Sequence, residues 1–185
     1  MTVPGTFDTS ARELIHAGLQ NLDEARSLFR QLSASGFDAA RCGLLLDALQ
    51  HVCDPDVALR NLVDIVNAQV SQGRALDDIM PDDTAFRQLV AVLGVSDAMG
   101  KLMRFRPDLV QAAATDHCNS HLYNHDQRRA HVLESVGADP NDRMSPTATM
   151  DLADAATALR RTYRNQLAAI IAQDTMSDDP IALQP

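Results

Sequence analysis

The feature of this chain that most constrains its fold is a long periodic run near its end, from Thr147 to Asp174. Apolar side chains recur along the run at the helical period, so they share one stripe that must pack against a core. This stripe consists of Leu152, Ala156, Leu159, Tyr163, Leu167 and Ile170. Arg160, Arg161 and Arg164 lie beside it as a basic flank. The run therefore predicts one long helix without a catalytic motif.

Helix start signals recur upstream of this run, and no strand-like alternation of useful length accompanies them. Ser10 and Glu13 have the spacing of a capping box, and Asp54 followed by Pro55 is typical of an N-cap and a first helical residue. Further helix starts are predicted at Asn21, Asp38, Asp82, Ser96 and Pro107 and near His125. The predicted fold is all-α, an irregular bundle of short helices followed by one long C-terminal helix.

Composition shifts divide the chain into four predicted parts. Residues 1–136 are expected to form the helical bundle, with an interruption of the helical pattern from Ser71 to Pro81. Residues 137–146 contain one glycine and two prolines and are predicted to be a linker. A long connecting helix is expected over 147–175, and a frayed tail over 176–185.

Bulk composition narrows the class of protein. With 185 residues, 45% hydrophobic and 22% charged, the chain has the composition of a globular domain. A net charge of −9 argues against nucleic acid as a partner, because phosphate binding requires a basic surface. The scattered Cys42, Cys53 and Cys118 are typical of free thiols in a reducing compartment. With no signal peptide and no membrane span visible, the expected location is the cytoplasm.

A histidine cluster is the one candidate metal site. His117, His121 and His125 are spaced four residues apart, and on a continuous helix they would share a face able to hold zinc. The neighbouring Asn119 and Asn124 weaken the helical tendency there, which favours a solvated polar segment instead. A metal-dependent helical protein is therefore one hypothesis.

The arginines of the long run also leave two alternatives open. Arg160 and Arg164, four residues apart, repel each other mildly, so an acidic partner nearby would stabilise the helix. That partner is either this acidic chain's own Asp and Glu or an external anion. The chain has no Gly-rich phosphate loop, nucleophile elbow or Cys-x-x-Cys motif, so no catalytic or cofactor-binding residue is assigned.

Four stretches of the chain resemble, in the same order, segments of the glutamine synthetase adenylyltransferase family. The last stretch matches a helix of the pattern A-L-R-x-x-Y-R-x-x-L-x-x-I-x-A-x-D, and the first reads Asp-Pro-Asp-Val-Ala-Leu-Arg-Asn-Leu. In residue numbers the stretches are 54–62, 89–96 with 107–109, 129–140 and 158–174. The resemblance covers roughly residues 44–174.

The resemblance implies a large bifunctional enzyme that attaches AMP from ATP to a tyrosine of glutamine synthetase and removes it by phosphorolysis. It also implies two Mg²⁺-dependent nucleotidyltransferase domains, controlled by a PII-type signal protein and glutamine. No Gly-rich turn with paired aspartates matches in this chain, so no catalytic residue is carried over to it. The implied role is that of an N-terminal helical portion, structural or regulatory and inactive alone, with ATP and Mg²⁺ used elsewhere in the enzyme.

The alternative function is that of a stand-alone, all-helical protein-interaction module. Either function directs attention to the long helix, where the candidate interface residues are Arg160, Tyr163, Arg164 and Leu167. The expected partner is the remainder of the same polypeptide, with a dimer through the long helix as a second possibility. We expect the Tyr163–Ile170 end of the stripe to be partly exposed or to be covered by a second copy.

Overall fold

The computed structural model of the chain describes residues 9–80, 82–114 and 125–176, and all regular structure within these ranges is helical. The predicted all-α class, with short helices first and a long helix last, is confirmed. In chain order the helices are α1 (Ala11–His16), α2 (Leu22–Ala34), α3 (Ala39–Leu49), α4 (Pro55–Ser71), α5 (Leu76–Ile79), α6 (Asp83–Val95), α7 (Asp97–Met103), α8 (Pro107–Ala114), α9 (His125–Ser135) and α10 (Leu152–Met176).

Polar side chains close the N-terminal ends of many helices, where backbone N–H groups lack helical partners. At α1 the Ser10 hydroxyl accepts from the backbone N–H of Glu13, and the Glu13 carboxylate accepts from that of Ser10, which completes the predicted capping box. At α4 the Asp54 carboxylate accepts from the Val57 N–H, and Pro55 is the first helical residue. Caps at the other predicted positions are made by Asn21, Asp38, Asp82 and Ser96.

The main core lies where α4 packs against α2, α3, α6 and α7, and α6 packs in turn against α8 and α10. Aliphatic side chains dominate this core, and burying each leucine-sized one contributes about 1.5–3 kcal/mol. The largest fully buried side chains are Leu14, Phe29, Leu32, Leu45, Leu49, Leu59, Leu62, Ile65, Leu89, Leu93, Met103 and Leu109.

A second, smaller apolar cluster lies between the end of α9 and the first half of α10. Its α10 members are alanines, which let the helix approach the chain that follows α9 closely. The cluster consists of Val136, Ala138, Ala155 and Ala158, with the partly buried Leu133 packed against it. The last described turns of α10 instead join the main core, through Ala168 and Ala172. The long helix therefore takes part in both clusters.

The buried face of α10 differs from the predicted one. Along the predicted stripe, hereafter the outer stripe, Leu152, Leu159 and Tyr163 are 87%, 41% and 65% exposed. The side chains buried instead are Ala155, Ala158, Thr162, Ala168 and Ala172. The periodicity predicted the helix correctly and its packing face wrongly, because the distance between packed helices depends on side-chain size, and here the small residues face the neighbours.

The far end of the outer stripe behaves as expected. Tyr163 is exposed, while Leu167 and Ile170 are half-buried. Leu167 also packs against the main core. The partial exposure predicted for the Tyr163–Ile170 end is therefore confirmed.

The chain between α9 and α10 is held in place by hydrogen bonds. The Arg129 guanidinium donates to the carbonyl oxygens of Pro140 at 2.9 Å and Asp142 at 2.8 Å. The Thr149 N–H donates to the carbonyl of Val136 at 3.2 Å, beside Gly137, whose φ of +71° favours glycine. This segment includes the predicted linker at 137–146, and its role as a boundary between two units stays a prediction.

Two predicted boundaries need correction. The long helix begins at Leu152 and not at Thr147, because the Asp151 carboxylate accepts from the N–H groups of Ala153 and Asp154, both at 2.9 Å, as an N-cap does. The interruption predicted from Ser71 to Pro81 contains the one-turn helix α5, which is too short for a periodic pattern.

No helix within the described ranges combines the length and the apolar character that a membrane span requires. α10 has the length, but it carries three arginines near its middle.

Candidate interface on the long helix

A cavity of about 300 Å³ that is lined by four arginines lies between α10 and the residue that precedes α8. We call it the arginine pocket; its lining residues are Arg106, Thr157, Arg160, Arg161 and Arg164. The four lining residues of α10 share one face of the helix, because the arginines lie three, four and seven positions after Thr157. Arg106 approaches this face from the turn between α7 and α8.

One acidic side chain partly balances the arginine pocket. Asp108 accepts two hydrogen bonds from Arg106, at 2.9 Å from Nε and 2.7 Å from Nη2. This bidentate pair holds the pKa of the Asp108 carboxyl below its usual range, and the nearby positive charge of Arg161 adds to the effect. The same hydrogen bonds raise the pKa of Arg106. The pair therefore fixes the Arg106 guanidinium at one side of the cavity.

The three arginines of α10 make no ion pair in the described part of the chain, whose ion pairs use other residues. Elsewhere, Arg60 pairs with Glu24 at 3.1 Å and Lys101 with Asp97 at 2.7 Å. Arg160 and Arg164 therefore form no ion pair with an acid among the described residues, and the choice between the chain's own acids and an external anion stays open. Among the described residues, the four guanidinium groups that line the pocket have one ion-paired carboxylate, that of Asp108, so positive charge is in excess there.

The predicted interface residues Arg160, Tyr163, Arg164 and Leu167 lie on one side of α10, because their spacing of three, four and seven positions is that of a helix face. Arg160 and Tyr163 are exposed, and Arg164 and Leu167 are half-buried. The side of α10 that carries these four residues combines a basic edge with the apolar outer stripe. Its use as an interface stays a prediction.

Arg106 and Asp108 are the site residues that sequence analysis missed. They are about fifty residues from Arg160 in the chain, and only tertiary packing brings α8 beside α10. A local signal was present, because an Arg-Pro-Asp sequence at a helix start places the guanidinium within reach of the carboxylate. That signal predicts the ion pair but not its arginine neighbours.

The candidate zinc ligands His117 and His121 lie outside the described residues, as does the side chain of His125 at the start of α9. Within the described ranges, no group of three or more His, Cys, Asp or Glu side chains could hold a metal ion. Cys42 and Cys53 are free thiols, and burial raises the pKa of Cys42. Cys118 also lies outside the described residues.

A second cavity, of about 570 Å³, lies between α1 and α3. Side chains of both charges line it, among them Arg12, Glu13 and Asp47. Glu13 is engaged in the α1 capping box and Asp47 is paired with Arg87, so its acids already have partners. The cavity therefore lacks the charge imbalance of the arginine pocket.

Comparison with known proteins gives a consistent set of relatives. The chain is 62% identical, over 97% of its length, to the bifunctional glutamine synthetase adenylyltransferase/adenylyl-removing enzyme of Bifidobacterium longum (strain NCC 2705). It is 33% identical over 74% of its length to the enzyme of the same name from Corynebacterium efficiens, and 28% identical over 91% to that of Leifsonia xyli subsp. xyli. No protein-family model matches the chain, nor does any solved structure.

The aligned segment covers most of this chain but only a small fraction of each relative. The chain spans 17% of the length of the Bifidobacterium relative, and 15% and 16% of the other two. Identity of 62% over 97% of this chain nevertheless leaves no doubt about common ancestry of the shared segment. Over that segment, the chain belongs to the family of bifunctional glutamine synthetase adenylyltransferase/adenylyl-removing enzymes.

Proposed function

We propose that this chain serves as the N-terminal helical segment of an enzyme that adenylylates and deadenylylates glutamine synthetase. The single observation that carries the proposal is the 62% identity over 97% of the chain to a relative of that name. The proposed role is structural or regulatory, in support of nucleotidyltransferase domains located elsewhere in the enzyme. ATP and Mg²⁺ would be used in those domains, and the proposed location is the cytoplasm.

The outer stripe supports a structural role, because a helix that exposes large apolar side chains can bury them against a further domain. Leu152 and Tyr163 are mostly exposed, and Leu159 lies between them on the same face. The proposed occupant is another part of the same enzyme, because the chain spans 17% of its relative.

The activity test uses the 185-residue chain itself. The chain is incubated with glutamine synthetase, ATP and Mg²⁺, and intact-protein mass spectrometry follows the addition of AMP. A parallel reaction with adenylylated glutamine synthetase and phosphate follows its removal. We expect neither change, and robust turnover in either direction would refute the structural role.

The partner test addresses glutamine synthetase, a PII-type signal protein and a second copy of the chain. Sedimentation velocity of the chain alone measures self-association, and a PII-type protein or glutamine synthetase is then added in separate runs. If the outer stripe mediates a dimer, the double substitution Leu159→Ser with Tyr163→Ser is expected to give a monomer. A matched control is Ile15→Ser, which removes an apolar side chain that is 62% exposed on α1.

The alternative function, a separate helical interaction module, uses the same exposed stripe. The length of the polypeptide in its native cell separates the two functions. Detection of a chain of 185 residues by an antibody to it would favour the module, whereas a much longer band would favour the enzyme segment.

A further inference from the structure

We infer that the arginine pocket binds a phosphate-bearing anion, either a free oligophosphate or the phosphate chain of a nucleotide. The inference does not depend on the proposed function, because it rests on the charge and geometry of the described residues. Four arginines meet at one cavity of a chain whose formal net charge is −9. This local excess of positive charge is opposite in sign to the net charge of the chain, and an anion bound in the pocket would account for it.

The unbalanced charge is costly without a ligand. Arg160 and Arg164 are four positions apart on the same helix face, and like charges at that spacing repel each other and destabilise a helix. Arg161 adds a third charge on that face, and Arg106 faces it across the cavity. Asp108 lies near Arg161 as well as Arg106, but it carries a single negative charge and therefore offsets the positive charge of the pocket only in part. An anion with two or more charges would remove this repulsion.

The pocket is also held in shape before any ligand binds. Arg106 is fixed by its two hydrogen bonds to Asp108. On α10, Ala168 lies four residues beyond Arg164 on the same face and is fully buried in the main core. The backbone that carries the arginines is therefore anchored one turn away. A preorganised site loses less entropy when it binds a ligand.

The chemistry of the lining favours an anion that carries several charges in a small volume, as a phosphate group does. A planar guanidinium donates two parallel hydrogen bonds to a phosphate and stays charged at every physiological pH. A phosphoryl group carries a charge of about −1.5 to −2 at pH 7, so one or two such groups balance three arginines. A carboxylate group carries one negative charge, so three such groups would be needed to balance the same three arginines.

The size of the pocket favours a small ligand over an acidic protein surface. A water molecule occupies about 30 Å³ of liquid volume, so a cavity of about 300 Å³ holds roughly ten waters or a short phosphate chain. A stable protein–protein contact buries well over about 1,000 Å², much more than this cavity offers. We therefore assign the pocket to a small anion and make an acidic polypeptide the competing outcome of the test.

The test is isothermal titration calorimetry on the 185-residue chain at low salt. Sodium tripolyphosphate, orthophosphate and ATP are titrated separately into protein freed of divalent cations on a chelating resin, together with a short polyglutamate peptide. Saturable binding of tripolyphosphate, with one ligand per chain, is the expected result. Equal affinities for tripolyphosphate and ATP would indicate that the phosphate chain alone is recognised, and a tighter ATP would indicate a nucleotide ligand.

Two substitutions and one control connect the binding to the pocket. Arg160→Gln and Arg164→Gln are each expected to weaken tripolyphosphate binding about tenfold, because a charged hydrogen bond is worth about that factor. Arg74→Gln makes the same charge change at an exposed arginine outside the pocket and is expected to leave the affinity unchanged. Thermal unfolding without ligand gives a second readout, since loss of a repelling charge should leave the Tm of the pocket variants equal or higher.

Three results would overturn the inference. The first is the absence of saturable binding by any phosphate compound. The second is an equal loss of affinity in Arg74→Gln, which would indicate a nonspecific charge effect. The third is binding of polyglutamate, but of no phosphate compound, through Arg160 and Arg164, which would assign the pocket to an acidic polypeptide.

Discussion

Gly100 of α7 lies so close to Asn61 of α4 that a β-carbon added to the glycine would overlap the Asn61 Cγ and stand 2.8 Å from its Cβ. Asn61 cannot easily move away, because it is buried and its amide N–H donates to the Leu93 carbonyl of α6 at 3.4 Å. The contact joins three helices of the main core. Glycine at this position is what allows α7 to approach α4.

We expect Gly100→Ala to lower the free energy of unfolding by about 1–2 kcal/mol, since the overpacking exceeds what alanine gains in helix propensity. Gly43, inside α3, is the matched control, because an added β-carbon there has no neighbour within 4 Å. Gly43→Ala should raise the stability by about 0.5–1 kcal/mol. Urea unfolding measures both, and a stabilised Gly100→Ala would contradict the close packing.

Gln69 near the end of α4 is 1% exposed, and among the described residues neither its amide nitrogen nor its amide oxygen has a hydrogen-bond partner. Replacement by methionine keeps the shape and removes the buried polar group, so Gln69→Met should stabilise the chain by about 1–2 kcal/mol. Gln31→Met, on the exposed side of α2, should change stability by less than about 0.5 kcal/mol. Thermal unfolding of the two variants in parallel measures both changes. A lower Tm for Gln69→Met would contradict the expectation that the buried Gln69 amide destabilises the chain.

Ala168 is fully buried where α10 enters the main core, whereas Leu152 at the start of the helix is 87% exposed. Ala168→Leu is expected to destabilise the chain by about 1–3 kcal/mol through overpacking. Leu152→Ala should cost less than about 0.5 kcal/mol. Chemical denaturation followed by circular dichroism compares the two, and the reverse order would place the packing face of α10 on the outer stripe.

Asp108 links stability to pH, because its hydrogen bonds from Arg106 hold its pKa in the folded chain below the unfolded value of about 3.9. A group of this kind stabilises the fold above the unfolded pKa, and the contribution disappears as the pH falls through the folded pKa. The stability difference between the natural chain and Asp108→Asn should therefore be constant from pH 5 to 7 and shrink below about pH 4. Denaturant titrations across this range measure it, and a difference that stays constant to pH 2 would contradict the pair.

The N-terminal starts of the helices could be predicted from sequence because N-capping is a local interaction. Ser10, Asp54 and Asp82 each satisfy an N–H group three residues ahead, so a window of four residues contains the whole interaction. The packing face of α10 could not be predicted in the same way. Its outer stripe and its line of small residues both have helical spacing, and only the positions of α6, α8 and α9 decide which line is buried.

Only the part of the candidate site that lies on α10 could be predicted from sequence, because the rest depends on tertiary packing. Arg160 and Arg164 lie on one helix and their mutual repulsion is visible in the sequence. The position of Arg106 beside them depends on how α8 lies against α10, and so does the absence of an ion-pair partner for them among the described residues. A long-range juxtaposition of like charges has no sequence signature, because local pattern rules favour arrangements in which charges are balanced.

Because α10 takes part in two apolar clusters of different size, the parts of the chain that pack in them are expected to unfold in a defined order. The smaller one contains four buried side chains, three of them alanines, and has far less apolar surface to lose than the main core. Local unfolding starts where few buried contacts must be broken, so α9 and the first turns of α10 are expected to detach while the remainder stays folded. Arg160, Arg161 and Arg164 lie just beyond Ala158, at the border between the part that opens and the part that remains.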